Sequence, residues 1–559
     1  MSSGKGSYYM GTYLNPGNKR FSIALNSEIF IDKTEMIDYL NTLVNTNQRY
    51  ISVSRPRRFG KTMAADMLCA YYDRDTNSRE LFTQCKLALS QKRDKDTEWD
   101  KYLSKFDVIR LVMTDFFNKD NQVDEAISTI KRRVIDELSD KYPQTKYDEN
   151  DFYYSIDRFY RNSKIQFVII IDEWDAIFRE YKDDKEGQRK YLDFLRDWMK
   201  DKEYIALAYI TGILPIKKYG KHSALNMFDE YSMTQPSLMA PYAGFTSEEV
   251  EHLCEEYKLS YSEFKNWYDG YRLSNEVSEK ILRDDAIVNK QIYRKYDVYN
   301  PYSVVKAIRN KQLENYWNET ETYEALKQYI DWNFDGLKED VAIVMDSGRV
   351  KIDITGYQND MTTFHSKDDI LTMLIHLGYL SYDRDKKEAF IPNKEVMDVF
   401  KSSTKSQDWT MTFRALQNSR KLLEATWNCD EEKVAELIEA AHNKTGNRTY
   451  HSEAGLSYAI QLAYYSAQDY YTIIPELDTG KGYADLVFIP KTPDKKAMLI
   501  ELKYDEDADT AIAQIHRQKY PERLEHYIGN LILVGINYDK EIKNDQPEFK
   551  HHSCKIERV

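Results

Sequence analysis

RYISVSRPRRFGKTMAADMLCAYYD, residues 49–73, decides how the first part of this chain folds. RYISVS is a short apolar run of strand type, and KTMAADMLCAYYD has the pattern of a helix. Between them Arg55, Pro56, Arg57, Arg58, Phe59 and Gly60 make a tight loop that runs straight into Lys61 and Thr62. A strand, a tight loop and a helix N-terminus gather free backbone N–H groups and the positive end of the helix dipole, which together attract anions. In such a cradle Lys61 reaches terminal phosphates and the Thr62 hydroxyl ligates Mg²⁺. The usual pattern, GxxxxGK[ST], starts on glycine, and here Arg55 stands in that place. A basic loop that only caps a helix is the plain alternative.

Three more strand patterns surround this one: DVIRLVM (107–113), FVIIID (167–172) and IALAYIT (205–211), with amphipathic helical stretches between them. Strands alternating with helices predict a parallel sheet covered on both faces, an α/β layer over roughly residues 1–235. FVIIID ends on Asp172, followed by Glu173. At the end of a buried strand beside a phosphate cradle, Asp172 would hold Mg²⁺ and Glu173 would polarise an attacking water. Acids that merely face solvent are the alternative, but the two motifs occur in the right order on the right elements. Thr211, at another strand end, could sense a γ-phosphate or simply close its strand. Arg57 and Arg58 could meet phosphate or an acidic neighbour.

From 236 to 330 the pattern turns helical and aromatic, and Thr246 followed by Glu248 and Glu249 is a helix start. The aromatics of 267–333 sit at helical spacing and read as core. Residues 365–380 read as a helix and 381–393 as a charged hairpin, a winged-helix-like pair within a linker domain set at 331–405. The polar stretch KSSTKSQDWT (401–410) reads as a linker to a last domain at 406–559. In that domain GYADLVFIPKTPDKKAMLIELKY (482–504) reads as strand, turn, strand. A turn near 493 would set Asp485 opposite Glu501, and alternation puts Glu501 and Lys503 on one face. Two carboxylates suit a hard cation such as Mg²⁺, and the lysine could steady an attacking water or developing charge. An exposed, charged strand edge is the bland reading. His551, His552 and Cys554 read as a solvated tail.

RPRRFGKT with VIIIDEWD resembles an AAA-ATPase-like family whose members carry RPRRFGKS and an IDEYD-type motif, fused to PD-(D/E)xK nuclease-like domains. FIDKTEMIDYL, ITGILPI, WYDGYRL, VYNPYSVVKAI and LGYLSYD extend the likeness along nearly the whole chain. In that family arginine is usual at the first glycine position, and Trp174 replaces a tyrosine. The resemblance implies a multidomain α/β fold: a P-loop ATPase-like parallel sheet, a helical and winged-helix-like middle, and an α/β/α domain of the restriction-endonuclease type. It implies ATP and Mg²⁺ as cofactors, DNA or RNA as substrate, and Asp485, Glu501 and Lys503 as the nuclease set. It also implies an acid on the preceding helix, which Glu453 fits as a metal ligand or as an ordinary first-turn glutamate. Gln514 lies in a stretch similar to the family's AxxQI…KY and would support that site, or sit on a helix surface. A regulatory ATPase switch whose nuclease-like domain only binds nucleic acid or protein is the rival reading.

Bulk properties narrow the field. The charge of −13 argues against loose, non-specific binding to DNA or anionic lipid, so any nucleic-acid contact must rest on local basic patches or bound metal. Five cysteines without a CxxC pair read as reduced thiols in a cytoplasmic protein. No apolar run approaches membrane-spanning length, so a membrane partner is not expected. Assembly into a homo-oligomer is left open.

Overall fold

The computed structural model describes residues 10–91, 98–118, 122–148, 150–216, 224–283, 286–317, 334–358, 364–403, 407–442, 470–478, 483–492, 495–517, 530–539 and 551–559, with a few single residues between. The chain forms two compact units, Met1–Ser403 and Thr404–Val559. Among the described residues no helix is long and apolar enough to cross a membrane.

In the first unit, strands β1 (Tyr50–Ser54), β2 (Asp107–Val112), β3 (Phe167–Asp172), β4 (Ile205–Gly212) and β5 (Asp229–Tyr231) form one parallel sheet in the order β2-β3-β4-β1-β5. Every residue of β1, β3 and β4 is buried. That is why FVIIID is an unbroken apolar run rather than an alternating one: helices cover both faces. Each fully buried Ile or Val contributes about 1.5–3 kcal/mol over its exposed state, so this sheet is the anchor of the unit. Because all five strands run the same way, the loops leaving β1, β3 and β4 emerge at one edge, where ligands of open α/β sheets bind.

The middle of the unit is more mixed than a helical reading allows. Helices Ser247–Glu256, Tyr261–Tyr268 and Pro301–Asn310 are present, the first opened by a capping box between Thr246 and Glu249. Between the last two, however, runs a long antiparallel hairpin, β7 (Tyr271–Arg283) with β8 (Ala286–Tyr299), with the short β6 (Phe245–Thr246) paired to β8. Ile287, Val288, Ile292, Tyr293 and Val298 are strand formers whose alternation is broken up by charges. Further on, helix Lys367–Leu377 precedes a hairpin of β10 (Ser381–Asp383) and β11 (Glu388–Phe390), joined by β9 (Val350–Lys351) and followed by helix Lys394–Ser403, a winged-helix-like arrangement. The stretch 401–410 is largely helical rather than irregular: one helix ends at Ser403 and another starts at Gln407.

The second unit is an α/β/α layer. Its sheet runs β12 (Tyr471–Asp478), β13 (Tyr483–Pro490), β14 (Ala497–Tyr504), β15 (Leu531–Tyr538), β16 (His552–Arg558), antiparallel except for β14 with β15. One face packs on Leu422, Leu437 and Tyr464, the other on Ile512 and Ile515 of helix Ala508–Arg517. The supposed tail is in fact β16. His552 is buried there, its ring Nδ1 2.7 Å from Glu439 Oε2, because pairing with β15 satisfies the segment's backbone groups inside the domain.

Candidate functional site

The loop expected to cradle phosphate is built on two left-handed residues, Arg58 (φ +69°) and Gly60 (φ +83°), the latter capping helix Lys61–Tyr72. A Cβ on Gly60 would meet nothing within 4 Å, so glycine is needed there for its backbone angle and not for space. Arg55 turns away from the loop. Its guanidinium is fully buried and donates to the carbonyls of Ser54 and Tyr231 at 2.8 Å and of Met239 at 3.3 Å. Burial pushes it down to about 10. The arginine in the first glycine position is therefore a pillar under the loop, and its side chain is not among those facing a phosphate.

The next residues grip the middle of the unit. Pro56 packs on Gly378, and the Arg57 carbonyl accepts from Asn300. Arg58 donates to the Tyr316 carbonyl at 3.1 Å and lies 4.1 Å above the Tyr302 ring. Phe59 is buried edge-on to Tyr271 at 5.1 Å. Lys61 curls over the loop, donating to the Arg55 and Pro56 carbonyls at 3.0 and 2.8 Å. Desolvation pushes its ammonium down to about 8, against the pull of Asp175, Asp172 and Glu173.

The acid pair closes the other side. Asp172 is buried, and burial raises its carboxyl above the usual range; the Thr62 hydroxyl, Lys61 and Arg110 pull the other way. Thr62, in the first turn of helix Lys61–Tyr72, thus meets Asp172 at the end of β3. A hydroxyl and a carboxylate side by side are hard oxygen donors of the kind Mg²⁺ takes, so these two residues fit that ion. Glu173 is left-handed (φ +52°), donates its N–H to Asp172 Oδ1 at 3.0 Å, and accepts from Arg179 at 2.9 Å. Thr211 is fully buried with its one hydroxyl proton on the Val53 carbonyl at 2.9 Å, so this geometry turns it to the sheet rather than to a γ-phosphate. Over the cradle lies a cavity of about 1060 Å³ whose walls include Phe30, Arg57, Lys61, Thr62, Glu173, Arg179 and Tyr302. Its volume is of nucleotide size.

Sequence reasoning missed four residues here. Asp175, fully buried, accepts the N–H groups of Ile213 and Leu214 at 3.0 and 2.9 Å and so ties the turn after β3 to the end of β4. Arg179 flanks Glu173. Arg110 and Asp66 form a pair at 2.7 Å beneath Asp172. The available signals were a charge inside the apolar run DVIRLVM and an acid one helical turn past Thr62.

In the second unit, β13 and β14 pair Leu486↔Ile500, Val487↔Leu499 and Phe488↔Met498. One step further sets Asp485 opposite Glu501. Both share the face of Val487 and Leu499, toward helix Ala508–Arg517, and Lys503 follows on the same face by alternation. Glu501 is 2% exposed; its Oε1 lies 3.9 Å from the Lys503 ammonium and accepts from Gln514 Nε2. Asp485 accepts the Leu502 N–H at 2.7 Å. Among the described residues no group of three or more His, Cys, Asp or Glu forms a metal cage. Two carboxylates across a hairpin still fit Mg²⁺, which keeps several waters and is commonly held by one or two carboxylates plus substrate phosphate. Glu453, Lys519 and Tyr520 lie outside the described residues.

Residues 18–221 match the family described as AAA-ATPase-like, a predicted AAA-ATPase, and residues 456–547 match the PD-(D/E)XK nuclease superfamily. An uncharacterised protein in the vnfD 5′ region of Azotobacter chroococcum mcd 1 is 22% identical over 304 residues, covering 52% of this chain; the chain spans about half, 51%, of that curated relative. Among solved structures, Cdc6p from Pyrobaculum aerophilum is similar at 10% identity and a TM-score of 0.22, over 68% of this chain and 93% of that one. The ORC2 protein of Aeropyrum pernix, in ADPNP–ADP complexes, is similar at 10% identity and a TM-score of 0.26, over 70% and 98%.

Proposed function

We propose that this chain, which joins an AAA-ATPase-like domain to a PD-(D/E)XK nuclease-superfamily domain, binds Mg²⁺-ATP at its first site and cleaves nucleic-acid phosphodiester bonds at its second. One observation carries the cleavage reading: Asp485 and Glu501 face each other across β13 and β14, with Lys503 and Gln514 on the same side. Magnesium bound there would acidify a water and stabilise charge on the phosphate. Asp485 and Glu501 would hold the ion, Lys503 would orient the water and meet the developing charge, and Gln514 would fix the Glu501 carboxylate.

At the first site Lys61 would meet the β- and γ-phosphates, Thr62 and Asp172 would hold the ion, and Glu173 would orient the attacking water. Arg57 remains in the loop's phosphate-facing set; Arg55 supports it from below, Arg58 holds the loop to Tyr316 and Tyr302, and Thr211 belongs to the sheet. We keep 1–235, 236–330, 331–405 and 406–559 as the functional division.

The test is a cleavage screen on single-stranded, duplex and branched DNA and RNA, with Mg²⁺ or EDTA and with or without ATP, on the full chain and on Asp485→Ala. Cleavage that needs Mg²⁺ and Asp485 supports the reading. If the parent chain and Asp485→Ala leave every substrate equally intact, the rival of an inactive nuclease-like binding module takes its place.

A further inference from the structure

The cavity above the cradle contains a cation to which that reading gives no task. Arg179 lies in the short helix Ala176–Glu180, directly after the acid pair, and shares the cavity wall with Lys61, Thr62 and Glu173. Its side chain is only 9% exposed. A guanidinium offers five N–H donors in a planar fork, and this one is little used. Nη2 meets Glu173 Oε2 at 2.9 Å. Asp175 Oδ1 stands 3.9 Å away, outside hydrogen-bond reach, while Asp175 Oδ2 is taken by Ile213 and Leu214. Nε is buried with no acceptor among the described residues. Asp175, Glu173 and Glu180 hold the guanidinium charged in spite of its burial, yet its fork keeps donors to spare at the cavity wall.

Its one hydrogen-bond partner among the described residues is the residue assigned to orient water. Glu173 cannot serve that role fully while Arg179 neutralises it, and Arg179 cannot reach a ligand while it holds Glu173. A terminal phosphate between Lys61 and Arg179 would resolve both conflicts, because a guanidinium binds phosphate oxygens in a two-pronged fashion. We propose that Arg179 is a γ-phosphate ligand supplied by the same chain, parked on Glu173 until ATP arrives and freeing Glu173 when it transfers. This rests on the ATP reading above. It goes further in making the site sensitive to the third phosphate, since ADP offers Arg179 nothing to leave Glu173 for. An arginine provided in cis to the transferring phosphoryl group is a known solution to stabilising its charge.

The experiment is calorimetric titration of the full chain with Mg²⁺-ADP and with a Mg²⁺-bound, non-hydrolysable ATP analogue, for the parent, Arg179→Ala, Arg179→Lys and Glu173→Gln. Arg179→Ala should lose about 10-fold or more in affinity for the triphosphate, the size of a lost charged hydrogen bond, while ADP affinity stays within about 2-fold. Arg179→Lys should fall between, keeping charge but not the fork. Glu173→Gln should bind the triphosphate more tightly than the parent relative to ADP, because the parking partner is gone; a purely structural pair would not produce that gain. Should the alanine variant fail to fold, the lysine and glutamine variants carry the same comparison. Equal losses for both nucleotides, or an unchanged ratio in all variants, would overturn the role of Arg179 alone. A parent chain that binds neither nucleotide would overturn the ATP reading, and this proposal with it.

Discussion

Changing Arg55 to glycine would restore the first residue of the GxxxxGKT pattern, and a reader of the motif alone would expect a better phosphate loop. The structure predicts the opposite. The Arg55 guanidinium is the only side chain donating to the buried carbonyls of Tyr231 and Met239 among the described contacts, and it also binds the Ser54 carbonyl. Losing the two short bonds costs about 1.5 kcal/mol each, and the cavity left by an arginine-sized side chain about 2 kcal/mol more. Relief from burying an ion returns about 2 kcal/mol. The net is a destabilisation of about 3 kcal/mol. An entropy of unfolding of about 2.1 cal/mol/K per residue, over a unit of roughly 400 residues, makes this a fall in melting temperature of about 4 °C. Differential scanning calorimetry of the full chain reads it directly, in whichever transition ATP displaces. A variant that melts with the parent or above it, and binds ATP more tightly, would refute the pillar role and return Arg55 to the phosphate side.

Other perturbations follow from the same geometry. Lys61→Ala should reduce ATP binding by at least about 100-fold, the loss of a desolvated charged contact, as read by equilibrium dialysis. Because free Lys61 is held down to about 8 and phosphate would raise it again, ATP binding to the parent near pH 8.5 should take up a proton, seen as a binding heat that varies with buffer ionisation; Lys61→Met should abolish that uptake. Glu173→Gln should retain ATP but slow hydrolysis by about 10²- to 10⁴-fold, the range for a lost general base; an unchanged turnover removes Glu173 from that role. In the second unit Asp485→Ala and EDTA should each eliminate cleavage, whereas Lys503→Ala should slow the cut with Mg²⁺ affinity preserved, which calorimetry with Mg²⁺ alone separates.

What the sequence discloses here depends on how local the determining physics is. FVIIID and IALAYIT are legible because strands buried on both faces must be apolar throughout. The facing of Asp485 and Glu501 is legible because a turn and a period of two fix a hairpin register within about twenty residues. The β7–β8 hairpin hides behind the charges of EVSEKILRDDAIVNKQIYRKYDVY. Three-residue β5, Asp229–Tyr231, is too short to show any period. β16 is invisible for another reason: HSCKIER becomes a strand because β15 pairs with it. Asp175, Arg179 and the Arg110–Asp66 pair are individually ordinary residues, and only the folded sheet gathers them around Asp172 and Glu173.

The loop itself shows why a motif is better read as backbone requirements than as letters. A glycine is obligatory where φ is positive, or where a side chain would strike a neighbour. Arg55 meets neither condition: its φ is not positive, and its side chain leaves the loop for a pocket lined by carbonyls. The positive angles fall on Arg58 and Gly60. Arg58 tolerates its strain because its guanidinium is fixed between the Tyr316 carbonyl and the Tyr302 ring. An ordinary glycine-rich loop is shaped by what its residues lack. This one is shaped by what Arg55, Pro56, Arg58 and Phe59 hold, and each of those grips lies outside the cradle, on Tyr231, Gly378, Tyr302 and Tyr271. The cradle is thereby preorganised by its neighbours, and substitutions at those distant contacts should weaken phosphate binding without touching a phosphate. Gly378→Ala is the sharpest case, since its Cβ would come within 2.8 Å of Pro56 at a residue with φ +87°. It should lower ATP affinity in equilibrium dialysis while Asp485-dependent chemistry in the second unit is unchanged, and an ATP affinity equal to the parent's would show that the loop holds its shape alone.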